Sequence, residues 1–152
     1  MKTSSYNGSG LYLPAKINGR DIDCLVDTGA TLSLVSDRHW MLIYGQTKDL
    51  KFFQRDIVSA AGTPLSIKGQ GSISIDVHGS TYNMDVVVAD IDTDVILGLY
   101  FFKIHKCKID MDTESIEILG KRCPLVSSGT LGCYRVIVSE LVKIPAMSEM
   151  MS

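Results

Sequence analysis

The chain has 152 residues, 45% hydrophobic and 21% charged, with 15 Lys and Arg against 17 Asp and Glu for a formal net charge of −2. That balance fits one globular domain with a real core and argues against a disordered chain. No net positive field exists to attract nucleic acid, and apolar runs such as those at 86–89 and 95–99 fall far short of the roughly 20 residues a membrane helix needs.

Taken in order, the chain opens on a polar, small-residue stretch at 1–10 with no apolar run of signal-peptide type, so a flexible segment and a cytoplasmic protein are expected. Residues 11–17 read as a strand, Asn18-Gly19 as a tight hairpin turn and 22–26 as the returning strand, which ends at Asp27. Residues 33–35 suggest a short strand, and Ser36 is placed to cap a brief helix through Asp37, His39, Trp40 and Ile43. Residues 46–56 have the mixed polarity of a surface connection. The runs 57–59 and 65–67 then flank Ala60-Ala61-Gly62-Thr63-Pro64, whose small residues, Gly and Pro predict a hairpin tip. Residues 72–77 alternate strictly, His78-Gly79-Ser80 turn, and 82–88 return, giving a longer hairpin. Val95-Ile96-Leu97 has the continuous apolar character of a fully buried strand, and 99–104 predict a short helix after Gly98. A last hairpin spans 108–111 and 115–119. Beyond Gly120, residues 127–132 read as a linker and 134–142 as one added strand, while the Met-rich 147–152 suggest no order. The expected organisation is therefore a flexible 1–10, a domain at 11–119 and an extension at 120–152.

Cysteines at 24, 107, 123 and 133 form no Cys-x-x-Cys pair, and histidines at 39, 78 and 105 are scattered among them. A zinc site wants clustered ligands, so no metal or cofactor is expected and the thiols are read as reduced. Several smaller features have plain structural readings. Trp40 is expected to pack in the core or against the surface rather than to line a substrate pocket. His105 and Cys107 are too close in sequence to face each other as a dyad. Gly69-Gln70-Gly71 lacks the third glycine of a dinucleotide loop, and Asp90, Asp92 and Asp94 lack the Gly and Glu of a calcium loop.

The sharpest motif is Asp27-Thr28-Gly29-Ala30 at the end of an apolar strand. An Asp-(Ser/Thr)-Gly tripeptide arises by chance in about one chain in twenty of this length, so its surroundings decide. Those surroundings are a Gly-containing hairpin some thirty residues on and then Ile96-Leu97-Gly98 before a helix. In that order the motifs resemble the retropepsins, the aspartic proteases of retroviruses and gypsy-type retroelements, over roughly residues 11–119. The resemblance implies an all-β acid protease fold: a closed barrel with a flap hairpin and one short C-terminal helix. It implies that Asp27, Thr28 and Gly29 form the catalytic loop, and that Ala30, Ala60, Ala61, Gly62, Thr63 and Ile96 contact substrate. Thr31 and Leu99 stand where retroviral members often carry an Asp and an Arg that pair, and Tyr100 stands where many retroelement members carry an acid.

Metal-free peptide hydrolysis by this chemistry needs two carboxylates that share one proton, one activating a water and the other polarising the scissile carbonyl. The chain has one Asp-Thr-Gly, so a C2 homodimer is expected to supply the second Asp27. The implied function is an aspartic endopeptidase acting on an extended peptide or polyprotein. The rival is a domesticated or inactive dimerisation or binding module of the same fold. A nucleic-acid-binding fragment is disfavoured by the charge balance.

Overall fold

The computed structural model describes residues 10–59 and 61–127. The first hairpin joins β1 (Leu11–Ile17) to β2 (Arg20–Val26), in register from Tyr12↔Leu25 to Ile17↔Arg20. Its turn uses Asn18 and Gly19 at φ 50 and 78, the left-handed pair that matches the twist of the flanking strands. After the loop at 27–33 come β3 (Leu34–Ser36) and α1 (Asp37–Tyr44). The Ser36 hydroxyl accepts from His39 N at 3.0 Å and caps that helix, and Gly45 at φ 75 closes it. The long hairpin of β4 (Ile67–Val77) and β5 (Ser80–Ala89) follows, then β6 (Val95–Leu97) and α2 (Leu99–Ile104). A separate sheet contains β7 (Lys108–Asp110), β8 (Ser115–Ile118) and β9 (Lys121–Pro124), and β10 (Val126–Ser127) ends the described chain.

The main sheet runs β10-β1-β2-β6-β3-β5-β4, and a Lys16↔Asp76 pairing joins β4 back to β1. Six strands therefore close into a barrel, as the resemblance implied. Closure leaves inward-facing residues nowhere to go but the middle. Leu13, Ile17, Cys24, Val35, Ile75, Val77, Val88 and Leu97 are all fully buried there, and Phe101 of α2 packs against them. Trp40 is buried, its indole N–H donating to Gln46 O at 3.1 Å. No helix among the described residues is long and apolar enough to cross a membrane.

Pairing continues past Leu119, into residues read from sequence as the start of an extension. Leu119 and Gly120, at φ 48 and 85, make a tight turn into β9, which pairs with β8, and β10 pairs with β1 at Leu11↔Ser127. Cys123 and Leu125 point inward here while Arg122 and Pro124 stay exposed, a short alternation masked by Pro124 and by the small residues that follow. The strand expected at 134–142 lies outside the described residues.

Burial of Cys24 pushes its thiol up to about 12, with the Asp23 and Asp94 charges adding in the same direction. Cys107 is likewise pushed up to about 12, by burial first and then by Cys123. The unfolded chain ionises such thiols near the ordinary 9.0 while the folded chain holds them neutral. This contribution to stability is present in full below pH 9 and is lost as pH rises from there toward 12. Urea midpoints measured between pH 7.5 and pH 11 should fall above pH 9, and Cys24→Ala should make the fall shallower. A flat profile would show that the thiols are not held neutral.

Candidate active site

Strands β2 and β6 run parallel, pairing Val26 with Leu97, so both chains leave the barrel at the same end. Strand β3 runs antiparallel to β6, with Leu34 opposite Ile96. The loop at 27–33 must therefore pass over the end of β6 and return beside it. Backbone bonds hold that path: Asp27 N donates to Leu97 O at 3.1 Å, Leu99 N to Ala30 O at 2.8 Å and Tyr100 N to Thr31 O at 3.1 Å. Gly98 N donates to the Ser33 hydroxyl at 3.0 Å.

Gly98 is needed here for space. Its φ of −108 is open to any residue, but a Cβ at this position would lie 2.4 Å from Leu32 O and 2.8 Å from Ala30 O. Within the loop, Ala30 N donates to Asp27 O at 3.1 Å, and Gly29 N donates to the Asp27 carboxylate at 2.9 Å. The second bond is an Asx turn, which orients the carboxylate. Asp27 is half-buried, while Thr28 and Gly29 are exposed at the loop tip.

A second apolar cluster lies apart from the barrel core and adjoins this loop. Leu34, Val87 and Ile96 are its buried members, and Ala30 of the loop packs against them together with Ile57 and Leu65 from the stem of the hairpin. The structure thus gathers Ala30, Ile96 and the hairpin stem around one apolar surface beside Asp27. The hairpin itself is held by the Val58↔Pro64 bridge and by Leu65 N to Ile57 O at 2.8 Å rather than by long strands. Ala61, Gly62 and Thr63 are exposed at its tip, with Gly62 at φ 83. Their amides turn inward: Gly62 N donates to Ser59 O at 2.9 Å, and Ala61 N and Thr63 N donate to the Ser59 hydroxyl, each at 3.3 Å. Residue 60 is outside the described residues.

Ser33 and Ser59 were not singled out from sequence. A lone serine at a strand end carries no spacing signal, and the Ser33 partner is 65 residues away. His105 is buried against Tyr82 and Phe101, with Nδ1 3.1 Å from Phe101 O, a packing role rather than a dyad with Cys107. Among the described residues no group of three or more His, Cys, Asp or Glu is placed to hold a metal ion.

A closed six-stranded barrel with an Asp-Thr-Gly loop laced to the strand-Gly-helix segment beneath it defines the retropepsin-like aspartic protease class. The chain belongs to the family described as "gag-polyprotein putative aspartyl protease", which it matches over residues 13–104. It is 26% identical over 115 residues to DNA damage-inducible protein 1 of Candida glabrata, covering 74% of this chain and 26% of that one. The protein of the same name from Yarrowia lipolytica is 27% identical over 110 residues, 71% of this chain and 27% of that one. The chain therefore spans about a quarter of the length of these curated relatives. Among solved structures, the retroviral protease-like domain of Ddi1 from Leishmania major superposes with a TM-score of 0.64 at 22% identity, covering 81% of this chain and 98% of that one. The EIAV protease complexed with the inhibitor HBY-793 superposes with a TM-score of 0.53 at 22% identity, covering 71% of this chain and 100% of that one. Both likenesses bear on the fold.

Proposed function

We propose that the chain is one half of an aspartic endopeptidase, active as a homodimer in which two Asp27 carboxylates meet across a twofold axis. The observation that carries this reading is the single Asp-Thr-Gly loop at the barrel end, its carboxylate oriented by Gly29 N and its Thr28 and Gly29 exposed where a second copy would approach. Two carboxylates brought together in this way cannot both ionise easily, so one keeps a proton. The ionised one takes a proton from a bound water, whose oxygen attacks the scissile carbonyl carbon, while the protonated one donates to the carbonyl oxygen. Collapse of the tetrahedral intermediate breaks the C–N bond as the amine nitrogen gains a proton.

In this reading the Thr28 hydroxyls brace the two loops, and Gly29 allows close approach of the backbones. Ala30 and Ile96 provide apolar substrate contact, and the hairpin carrying Ala60, Ala61, Gly62 and Thr63 closes over an extended peptide as a flap. The peptidase unit proposed is 11–119, with β9 and β10 completing its sheets and the rest of 120–152 as an extension. The gag-polyprotein family description supports a retroelement polyprotein as substrate. A second reading, a domesticated or inactive dimerisation or binding module, is favoured by the curated relatives being DNA damage-inducible proteins and by Tyr100 standing in place of an acid. Free thiols at Cys24, Cys107 and Cys123 suit a cytoplasmic setting.

The test is hydrolysis of a library of extended apolar peptides at mildly acidic pH, with and without a pepstatin-type mimic of the tetrahedral intermediate. Cleavage that the mimic suppresses is expected. A dimer that binds peptides and leaves them intact would favour the binding-module reading.

A further inference from the structure

We infer that Ser33 is a positioning residue for Asp27, its buried hydroxyl clamping the Asp-Thr-Gly loop to the start of α2 and so setting where the carboxylate stands. The inference rests on the peptidase reading above. The loop at 27–33 has no regular structure of its own, and four hydrogen bonds hold it to residues 97–100. Three run from backbone to backbone, at Asp27, Leu99 and Tyr100, and persist whatever side chains the loop carries. The fourth, Gly98 N to Ser33 Oγ at 3.0 Å, depends on a side chain.

Ser33 is only 3% exposed, and its carbonyl accepts from Val87 N at 3.0 Å, so the same residue also fastens the loop to β5. Gly98 is buried, with the Leu32 carbonyl oxygen 2.4 Å from where a Cβ would stand. Water therefore has no easy route to replace a lost hydroxyl, and a buried N–H left without a partner drives the segment to shift until it finds one. Any shift at Gly98 is passed directly to Asp27, because the preceding carbonyl, that of Leu97, holds the Asp27 amide. Two carboxylates that divide one proton depend steeply on their separation, so a small displacement acts on the chemical step more than on peptide binding.

The experiment uses the full chain with Ser33→Ala, and Ser33→Thr as the variant that keeps a hydroxyl. Steady-state cleavage is measured across pH, alongside the carboxyl-carbon NMR titration of Asp27 and the exchange rate of the Gly98 amide. Ser33→Ala is expected to lower kcat about tenfold while KM moves by less than about twofold. It should also displace the pH profile and the Asp27 titration and speed Gly98 exchange, and Ser33→Thr should restore all of these. An activity loss no larger than the unfolded fraction, with the pH profile and Asp27 titration unchanged, overturns the inference. If even the wild-type chain cleaves nothing, the peptidase reading fails on its own. The clamp is then decided by NMR: a displaced Asp27 titration in Ser33→Ala, reversed in Ser33→Thr, upholds it, and an unmoved titration overturns it.

Discussion

Asp27→Asn is expected to remove the proposed peptide hydrolysis, lowering kcat/KM by about a thousandfold or more while leaving the fold intact. The magnitude follows from general acid–base catalysis, in which one positioned proton carrier contributes about 10² to 10⁴ in rate, and in the proposed homodimer the substitution strikes both carriers. The fold is spared because the amide oxygen of Asn can still accept the Gly29 N–H now bonded to the carboxylate, which preserves the Asx turn of the loop. Steady-state kinetics paired with thermal unfolding separate the two effects. Abolished cleavage with a melting temperature within a few degrees of wild type is the expected pair. Retained cleavage would move the chemistry elsewhere in the molecule.

Gly98→Ala has the largest expected effect on stability, about 3 kcal/mol. A methyl 2.4 Å from Leu32 O and 2.6 Å from Leu32 C meets backbone, which has no rotamer to yield, so either the loop at 27–33 or the start of α2 must move. For a domain of this size that corresponds to a melting temperature lower by roughly 10–20 °C. Because the displaced loop carries Asp27, activity should fall with it. Gly120→Ala provides the contrast. Nothing lies within 4 Å of its added Cβ, and only the φ of 85 is unfavourable, at a cost of about 1 kcal/mol. Differential scanning calorimetry on both variants tests the distinction, and equal losses would show that close packing at Gly98 is not what its position requires.

Local chemistry made much of this fold readable in the sequence. Asn18-Gly19 carries the left-handed angles that a two-residue hairpin demands, and Ser36 accepts the His39 amide as a helix cap should. Alternation along 72–77 and 82–88 matches the paired strands β4 and β5, whose inward positions Ile73, Ile75, Tyr82 and Met84 are buried. Pairing between distant segments was harder to foresee. The parallel contacts of β2 with β6 and of β3 with β5, and the Lys16↔Asp76 link that closes the barrel, depend on surfaces far apart in the chain. Alternation shows that a face is buried without showing against what. β9 was hidden by Pro124, and its hairpin turn by an exposed leucine, Leu119, in a left-handed position that normally favours Asn or Gly.

The site divides in the same way. Asp27, Thr28 and Gly29 stand out because the motif is short and contiguous, and the buried strand before Gly98 stands out because three apolar residues precede it. What places the carboxylate includes a set of bonds between residues 27–33 and 97–100, and a side-chain member of that set, Ser33 Oγ, belongs to an ordinary serine until the chain is folded.

The central claim is that each active site needs two chains, and the most direct test is the initial cleavage rate as a function of enzyme concentration, repeated after wild-type and Asp27→Asn chains are refolded together. The rate should rise with the square of concentration at high dilution, where free monomers dominate, and each added fraction of variant chain should silence wild-type chains by forming pairs with one carboxylate. A rate strictly proportional to the wild-type chain at every dilution, and indifferent to the variant mixed with it, would contradict the account.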